Sequence, residues 1–448
     1  MPEHLQPAHS LADPTAARAL SKATWRLVPL LALGYLIAIM DRLNISYAQQ
    51  QMSRDLHFSS TVYGFGAGLM FLSYAACEVP SNLLLYRFGA RRWLARIMIS
   101  WGLISMAMVL VRTPWEFYTA RFLLGMAEAG FFPGVIFYLM QWFPSAQRAR
   151  TVSRFYVAAP LSSVVMGAVA GLLLNLQGRL SLAGWQWLFL VQALPAVLLG
   201  LFYLVALPNS PGDATWLTSS ERASILAGLE DDPHTHPSSH GVLPALRDSR
   251  VWLLGSFMFC MLATSYAYLF FAPTLVRTAT GFDTAHAGYV LSALNLAAAA
   301  SMVINGAISD RRRAPFAHII PGCLLMVAGF LGASLFTTPA PSVASLLLIV
   351  VGQYSMQGPL WVIATAFFSG RSAAAAIAAM NTIGILGGFV GPYWMGFAKD
   401  LTGNDRRGLL FMSLPMLVAA GIMVYLRRRF QREGLLTPQA AALEPANL

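Results

Sequence analysis

Apolar residues gather in long, unbroken runs separated by short punctuation rich in Arg, Pro and Gly. The runs fall at residues 25–47, 61–85, 93–111, 115–142, 151–175, 185–207, 251–275, 286–309, 316–337, 343–369, 372–397 and 408–426. None alternates apolar and polar with a period of two, so none reads as the wall of a membrane barrel. Each is long enough for a helix crossing a hydrocarbon layer about 30 Å thick, which needs roughly 20 residues. Lipid offers no partner to a bare N–H or C=O, and an α-helix satisfies both internally. The pattern predicts an all-α membrane protein with twelve transmembrane helices. One long polar stretch, Pro208–Arg250, carries Pro, Ser, His and the acidic run Glu230-Asp231-Asp232. It splits the chain six plus six. The expected order is a tail at 1–24, a bundle at 25–208, a linker at 209–250, a second bundle at 251–426 and a tail at 427–448.

Composition sharpens this picture. The chain is 57% hydrophobic and 11% charged, with mean hydropathy +0.59, against about 25% charged residues in soluble domains. Its net charge of +11 would suggest nucleic acid in a soluble protein. Here the excess Arg lies in short loops, where it sets topology. With both termini placed in the cytoplasm, 21 of the 30 Lys and Arg fall on the cytoplasmic side, 7 fall opposite, and Arg42 and Arg121 lie inside spans. The expected location is a bacterial inner membrane, with a lipid bilayer and no nucleic acid as partner. Cys77, Cys260 and Cys323 all fall in spans, far apart, with no disulfide or metal spacing. The eight histidines lie in tails, loops or span ends, and His234, His236 and His240 read as a solvated tract. No cofactor, metal or enzymatic constellation is expected.

The charges inside the spans carry the chemistry. An ionisable group there costs about 2.5–3.5 kcal/mol or more, so each is a functional candidate. Asp41 and Arg42 lie on span 1, Glu78 on span 2, and Arg121 and Glu128 on span 4; the second half has none. Arg121 and Glu128, seven residues apart, share a helix face about 10.5 Å apart along the axis. Arg42 and Arg121 would grip a substrate carboxylate bidentately, while Asp41 and Glu128 neutralise them in its absence. An anion then binds best once the acids are protonated, which links anion and proton. Glu78, near Pro80, suits packing or gating as well as coupling. Tyr74, Gln353, Gln357, Trp361, Thr365 and Asn381 are weaker candidates in or near mid-span.

These residues resemble the major facilitator superfamily and, within it, the anion:cation symporter family, over residues 25 to 430. The carriers of the resemblance are Asp41-Arg42-Leu-Asn44-Ile-Ser46, Glu78-Val-Pro80-Ser-Asn82, Arg121-Phe-Leu-Leu-Gly125-Met-Ala-Glu128-Ala-Gly130-Phe-Phe-Pro133-Gly134, Gly358-Pro359-Leu-Trp361 and the run Asn381 to Pro392. The superfamily loop motif is intact at Gly306, Asp310 and Arg311. After span 2 it survives as Arg87, Gly89 and Arg91, with Tyr86 in the Asp position. The resemblance implies the major facilitator fold with both termini cytoplasmic, and a transporter working by alternating access; it is expected to function as a monomer. It implies Arg42 on the substrate carboxylate, Asp41 and Glu128 carrying protons, Arg121 as their partner, and Tyr74, Trp361 and Asn381 lining the site. Ala158-Ala159-Pro160, Gly358 and Leu360 stand where sugar-acid carriers show polar groups. The expected substrate is therefore a small organic anion of the tartrate, phthalate or hydroxyphenylacetate type, imported with protons. Alternatives are a sugar-acid symporter of the same family, a drug or cation antiporter, and a sensor that binds without carrying.

Overall fold

The computed structural model describes residues 14–230, 247–367 and 373–432. All regular structure among them is helical, and twelve helical stretches are long and apolar enough to cross a membrane. We number the α-helices in order. They are α1 (Pro14–Asp55), α2 (Ser60–Phe88), α3 (Ala90–Ala107), α4 (Pro114–Glu128), α5 (Phe131–Met140), α6 (Ser145–Tyr156), α7 (Ala158–Leu174) and α8 (Gly184–Ala206). After them come α9 (Ser219–Glu230), α10 (Ser249–Thr280), α11 (Thr284–Arg312), α12 (Pro315–Leu335), α13 (Pro339–Ser355), α14 (Gln357–Phe367), α15 (Ala373–Thr402) and α16 (Asp405–Arg432).

Several elements differ from the hydropathy pattern. The first helix starts at Pro14, not 25, because Ala16, Ala19, Leu20 and Ala23 form a buried stripe on otherwise polar turns. Spans 4, 5 and 10 are each two helices end to end, broken at Ala129–Gly130, Val157 and Met356. Hydropathy is blind to such breaks, since both halves remain apolar. Of the residues expected in the two motif loops, Arg87 rides on the last turn of α2, Gly89 lies between helices, Arg91 is on the first turn of α3, and Gly306 to Arg311 ride on the last turns of α11. Part of the polar linker is helical: Thr218 and Glu221 cap α9 reciprocally, Glu221 N to Thr218 Oγ1 at 3.3 Å and Thr218 N to Glu221 Oε2 at 3.0 Å. His234, His236, His240, Asp231 and Asp232 lie outside the described residues.

The chain forms two compact units. The first holds residues up to Met52 and Leu72–Ser239; the second holds Ser53–Phe71 and His240 onward. In the first, α3 packs along α8, and Tyr35 stacks on Phe155 at 4.8 Å between ring centres. There α9 is tied back to α1: Lys22 pairs with Glu221, and the Arg26 guanidinium lies 5.1 Å over the Trp216 ring. In the second, α10 lies against α15 over most of its length. A Cβ at Gly387 or Gly391 would fall 2.2 Å from the Phe259 carbonyl oxygen or 1.9 Å from that of Ala263. The Gly-rich run of span 11 thus serves close backbone packing. Asp400 accepts from the Ser60 and Thr61 amides at 3.0 and 2.6 Å, capping α2 from another helix.

Candidate functional site

Successive residues on a helix point about 100° apart, so Asp41 and Arg42 meet different neighbours. Asp41 turns toward α3 and is 1% exposed. Its Oδ1 accepts from Ser105 Oγ at 2.5 Å and from Asn44 Nδ2 at 3.0 Å. Its Oδ2 is buried with no hydrogen-bond partner. Arg42 turns toward the end of α4, where its Nε donates to Glu128 Oε1 at 2.6 Å. Its guanidinium also lies 5.1 Å over the Tyr74 ring, a cation–π contact.

Glu128 is the last helical residue before span 4 breaks. Pro133 has no N–H to give the Ala129 carbonyl, so the helix cannot run through unchanged. Gly130 makes the turn at φ +88°, a conformation other residues resist, and a Cβ there would sit 2.4 Å from Ser81 Oγ. Glu128 therefore ends one helix and α5 begins on a new heading. Oε1 of Glu128 takes the Arg42 bond, while Oε2 is buried without a partner. Arg121, two turns earlier on α4, is fully buried and acts electrostatically on both Asp41 and Glu128.

Five of the candidates thus form one cluster in the first unit: Asp41, Arg42, Tyr74, Arg121 and Glu128. The sequence paired Arg121 with Glu128 along one helix face; the direct contact seen for Glu128 is to Arg42, across two helices. Glu78, one turn beyond Tyr74, is partly buried and within electrostatic reach of Arg42. Of that pair, 20% of the Arg42 side chain is exposed against 2% for Glu128. Arg42 is the member of the Arg42–Glu128 pair with exposed side-chain surface.

Two groups escaped the sequence reading. Ser105 is an ordinary serine in an apolar span, and nothing in its spacing marks it as the donor to Asp41. Asn44 stands in the span 1 signature, but its bond to Asp41 becomes visible only with side chains placed. Three residues along, it lies on the same helix face.

The remaining candidates lie elsewhere. Trp361 on α14 is 40% exposed, and Gln353, Gln357 and Asn381 are half-buried, all in the second unit. The side chain of Thr365 lies outside the described residues. Arg87 and Arg91 flank Gly89, which turns at φ +82° while the Arg91 amide donates to Asn209 Oδ1 at 3.1 Å. Gly306 and Arg311 sit on the last turns of α11; the Asp310 side chain lies outside the described residues. All three cysteines are free thiols. Among the described residues no group of His, Cys, Asp and Glu could hold a metal ion.

A buried arginine–carboxylate cluster inside a twelve-span, two-unit helical chain is a transporter's arrangement. The sequence model of the Major Facilitator Superfamily matches residues 31–392. The chain belongs to that superfamily. It is 41% identical over 432 residues, 96% of this chain and 94% of the relative, to a putative tartrate transporter of Agrobacterium vitis. It is 35% identical to a quinolone resistance transporter of Acinetobacter baumannii, covering 92% of this chain and 95% of that one. A solved bacterial homologue of the human lysosomal transporter Spinster superposes with TM-score 0.77 at 17% identity, covering 94% of this chain and 98% of that one. That likeness concerns the fold. The relatives and the fold are those of membrane transporters, not enzymes, so this superfamily member is a multi-pass membrane protein that moves a small molecule.

Proposed function

We propose that this transporter imports a small organic anion together with protons across a bacterial inner membrane, with both termini cytoplasmic. The observation that carries the reading is the Arg42–Glu128 pair, one side chain partly open and one sealed. A carboxylate substrate is a better-reached partner for Arg42 than Glu128 is, but it cannot displace Glu128 while that group stays ionised and buried. Protonating Glu128 releases the guanidinium to the substrate. Anion and proton then bind as a linked pair, the thermodynamic requirement for symport.

Asp41 supports the same reading. It and Glu128 each hold one oxygen in hydrogen bonds and leave the other buried and bare. A buried charge short of hydrogen-bond partners is costly, and protonation removes the charge. Arg121 acts electrostatically on both acids and offsets their mutual repulsion when both are ionised. We assign Arg42 and Arg121 to the anion, with Tyr74, Trp361 and Asn381 as further lining groups; Glu78, Gln353 and Gln357 are secondary. The tartrate-transporter relative favours a compact carboxylate.

The quinolone resistance relative favours a second reading, a drug antiporter. A thermal-shift panel of the purified protein separates the two. The panel holds tartrate, phthalate, 4-hydroxyphenylacetate, gluconate and quinolone amines, each at pH 5.5 and pH 7.5. A ligand that binds the folded state raises the melting point by mass action. The anion reading expects stabilisation by carboxylates, stronger at pH 5.5. Stabilisation by amines alone replaces it with the antiporter.

A further inference from the structure

The break in span 10 leaves a carbonyl without its helical donor. In an unbroken helix the amide of residue 359 would bond the carbonyl of Ser355. Residue 359 is a proline and has no N–H to give. The helix stops at Ser355, turns at Met356 and restarts as α14, with Leu360 N bonding the Met356 carbonyl at 3.0 Å.

The missing donor comes from α11. Asn305 Nδ2 donates to the Ser355 carbonyl at 2.7 Å. A carbonyl only accepts, so the amide nitrogen of Asn305 must face it and Oδ1 must face the other way. On that side His318 Nδ1, from α12, lies 2.7 Å from Oδ1. Oδ1 is an acceptor, so His318 carries a proton on Nδ1 and holds the Asn305 amide in the one orientation that serves Ser355. Met356 is seated on α12, where Cys323 Sγ lies 3.4 Å from its Sδ. The next residue of α11 belongs to the superfamily motif. A methyl on Gly358 would come 3.8 Å from Gly306 Cα, so the restarted helix passes close by that glycine. Two residues beyond Pro359, Trp361 extends from α14 and is 40% exposed.

We propose that Asn305, braced by His318, is a positioning residue for transport: it clamps the break in span 10 and so fixes the aim of α14 and Trp361. Neither residue is part of the charged cluster, and neither stands out in the sequence as a candidate. The clamp itself stands apart from the anion reading. Its link to substrate rests on Trp361 lining the site, as proposed above.

Hydrogen–deuterium exchange of the full-length protein in nanodiscs tests the clamp without any substrate. In Asn305→Ala the amides of residues 356–358 and 360–364 should exchange about tenfold faster or more, because the break opens locally. In a Pro359→Ala background the backbone can serve Ser355 itself, so adding Asn305→Ala should leave exchange at the Pro359→Ala level. Unchanged exchange in Asn305→Ala overturns the clamp. So does the same increment in both backgrounds, since Asn305 would then act on something other than that carbonyl. Should Asn305→Ala fail to fold, Asn305→Leu fills the same space without a donor and should speed the same amides, and no change there overturns the clamp equally; His318→Ala tests the brace, and no change there overturns the bracing role of His318.

The positioning role is read from affinity for whichever carboxylate of the panel stabilises the wild type. Asn305→Ala should weaken it about tenfold, with no further loss when Trp361→Ala is already present. An equal loss in both backgrounds overturns the positioning of Trp361 while leaving the clamp to the exchange data. If no carboxylate binds, the anion reading has failed and the exchange result still decides the clamp.

Discussion

Arg42→Ala abolishes carboxylate binding and transport, and it does so more completely than any other single substitution in the cluster. A guanidinium gripping a carboxylate in a dry site makes charge-assisted bonds worth about 1.5–3 kcal/mol each. Truncating one partner of such a buried pair costs about 2–5 kcal/mol, and every 1.4 kcal/mol is tenfold in affinity. The expected loss is therefore about 100-fold or more, read as disappearance of the thermal shift at ligand concentrations that saturate the wild type. The variant also strands Glu128, whose buried carboxylate faces Arg42 at 2.6 Å. An ionised group left alone there destabilises the protein, and a protonated one does so less. The unliganded variant should thus lose more melting temperature at pH 7.5 than at pH 5.5. Arg42→Lys restores a charge but not the planar fork, and should recover only part of the affinity. Full carboxylate binding by Arg42→Ala would remove Arg42 from the substrate site.

Glu128→Gln should do the opposite to binding and still end transport. Glutamine matches the protonated acid in shape and charge, so Arg42 is always available to the anion. Coupling between two ligands is typically worth about 1–3 kcal/mol, or 5–150-fold. Affinity at pH 7.5 should rise by a factor in that range, toward the wild-type value at pH 5.5, and most of the pH dependence should vanish. Any remainder belongs to Asp41. With no proton to carry at 128, the variant should exchange labelled for unlabelled anion across a vesicle membrane but fail to accumulate it against a gradient. Loss of binding, as in Arg42→Ala, would mean that Glu128 holds the substrate directly rather than releasing Arg42 to it.

The sequence made the spans legible because lipid imposes a length and a polarity that twelve apolar runs display openly. Arg42, Arg121, Asp41 and Glu128 were legible for the same reason, since a charge in such a run needs a purpose. What stayed hidden depends on direction rather than composition. The partner of Glu128 depends on how the span 1 and span 4 helices lie against each other, which residue spacing along either helix does not reveal. Ser105 and Asn44 are small polar residues whose role is visible only in the 2.5 and 3.0 Å contacts to Asp41. Asn305 and His318 were hidden in a similar way. Their task was created by Pro359, some 50 residues away, and by a break that leaves hydropathy unchanged. The N-terminal turns of α1 looked like a polar tail because a narrow alanine and leucine stripe does not raise average hydropathy.

Symport itself is tested most directly by the proton. Purified protein is reconstituted into proteoliposomes in weak buffer, and external pH is followed with an electrode as each carboxylate of the panel is added. Empty liposomes and Arg42→Ala serve as controls. Proton-coupled import predicts alkalinisation outside on addition of a carboxylate, abolished by a protonophore and absent from both controls. No pH change with any carboxylate, or a signal only when amines are added, would contradict the account.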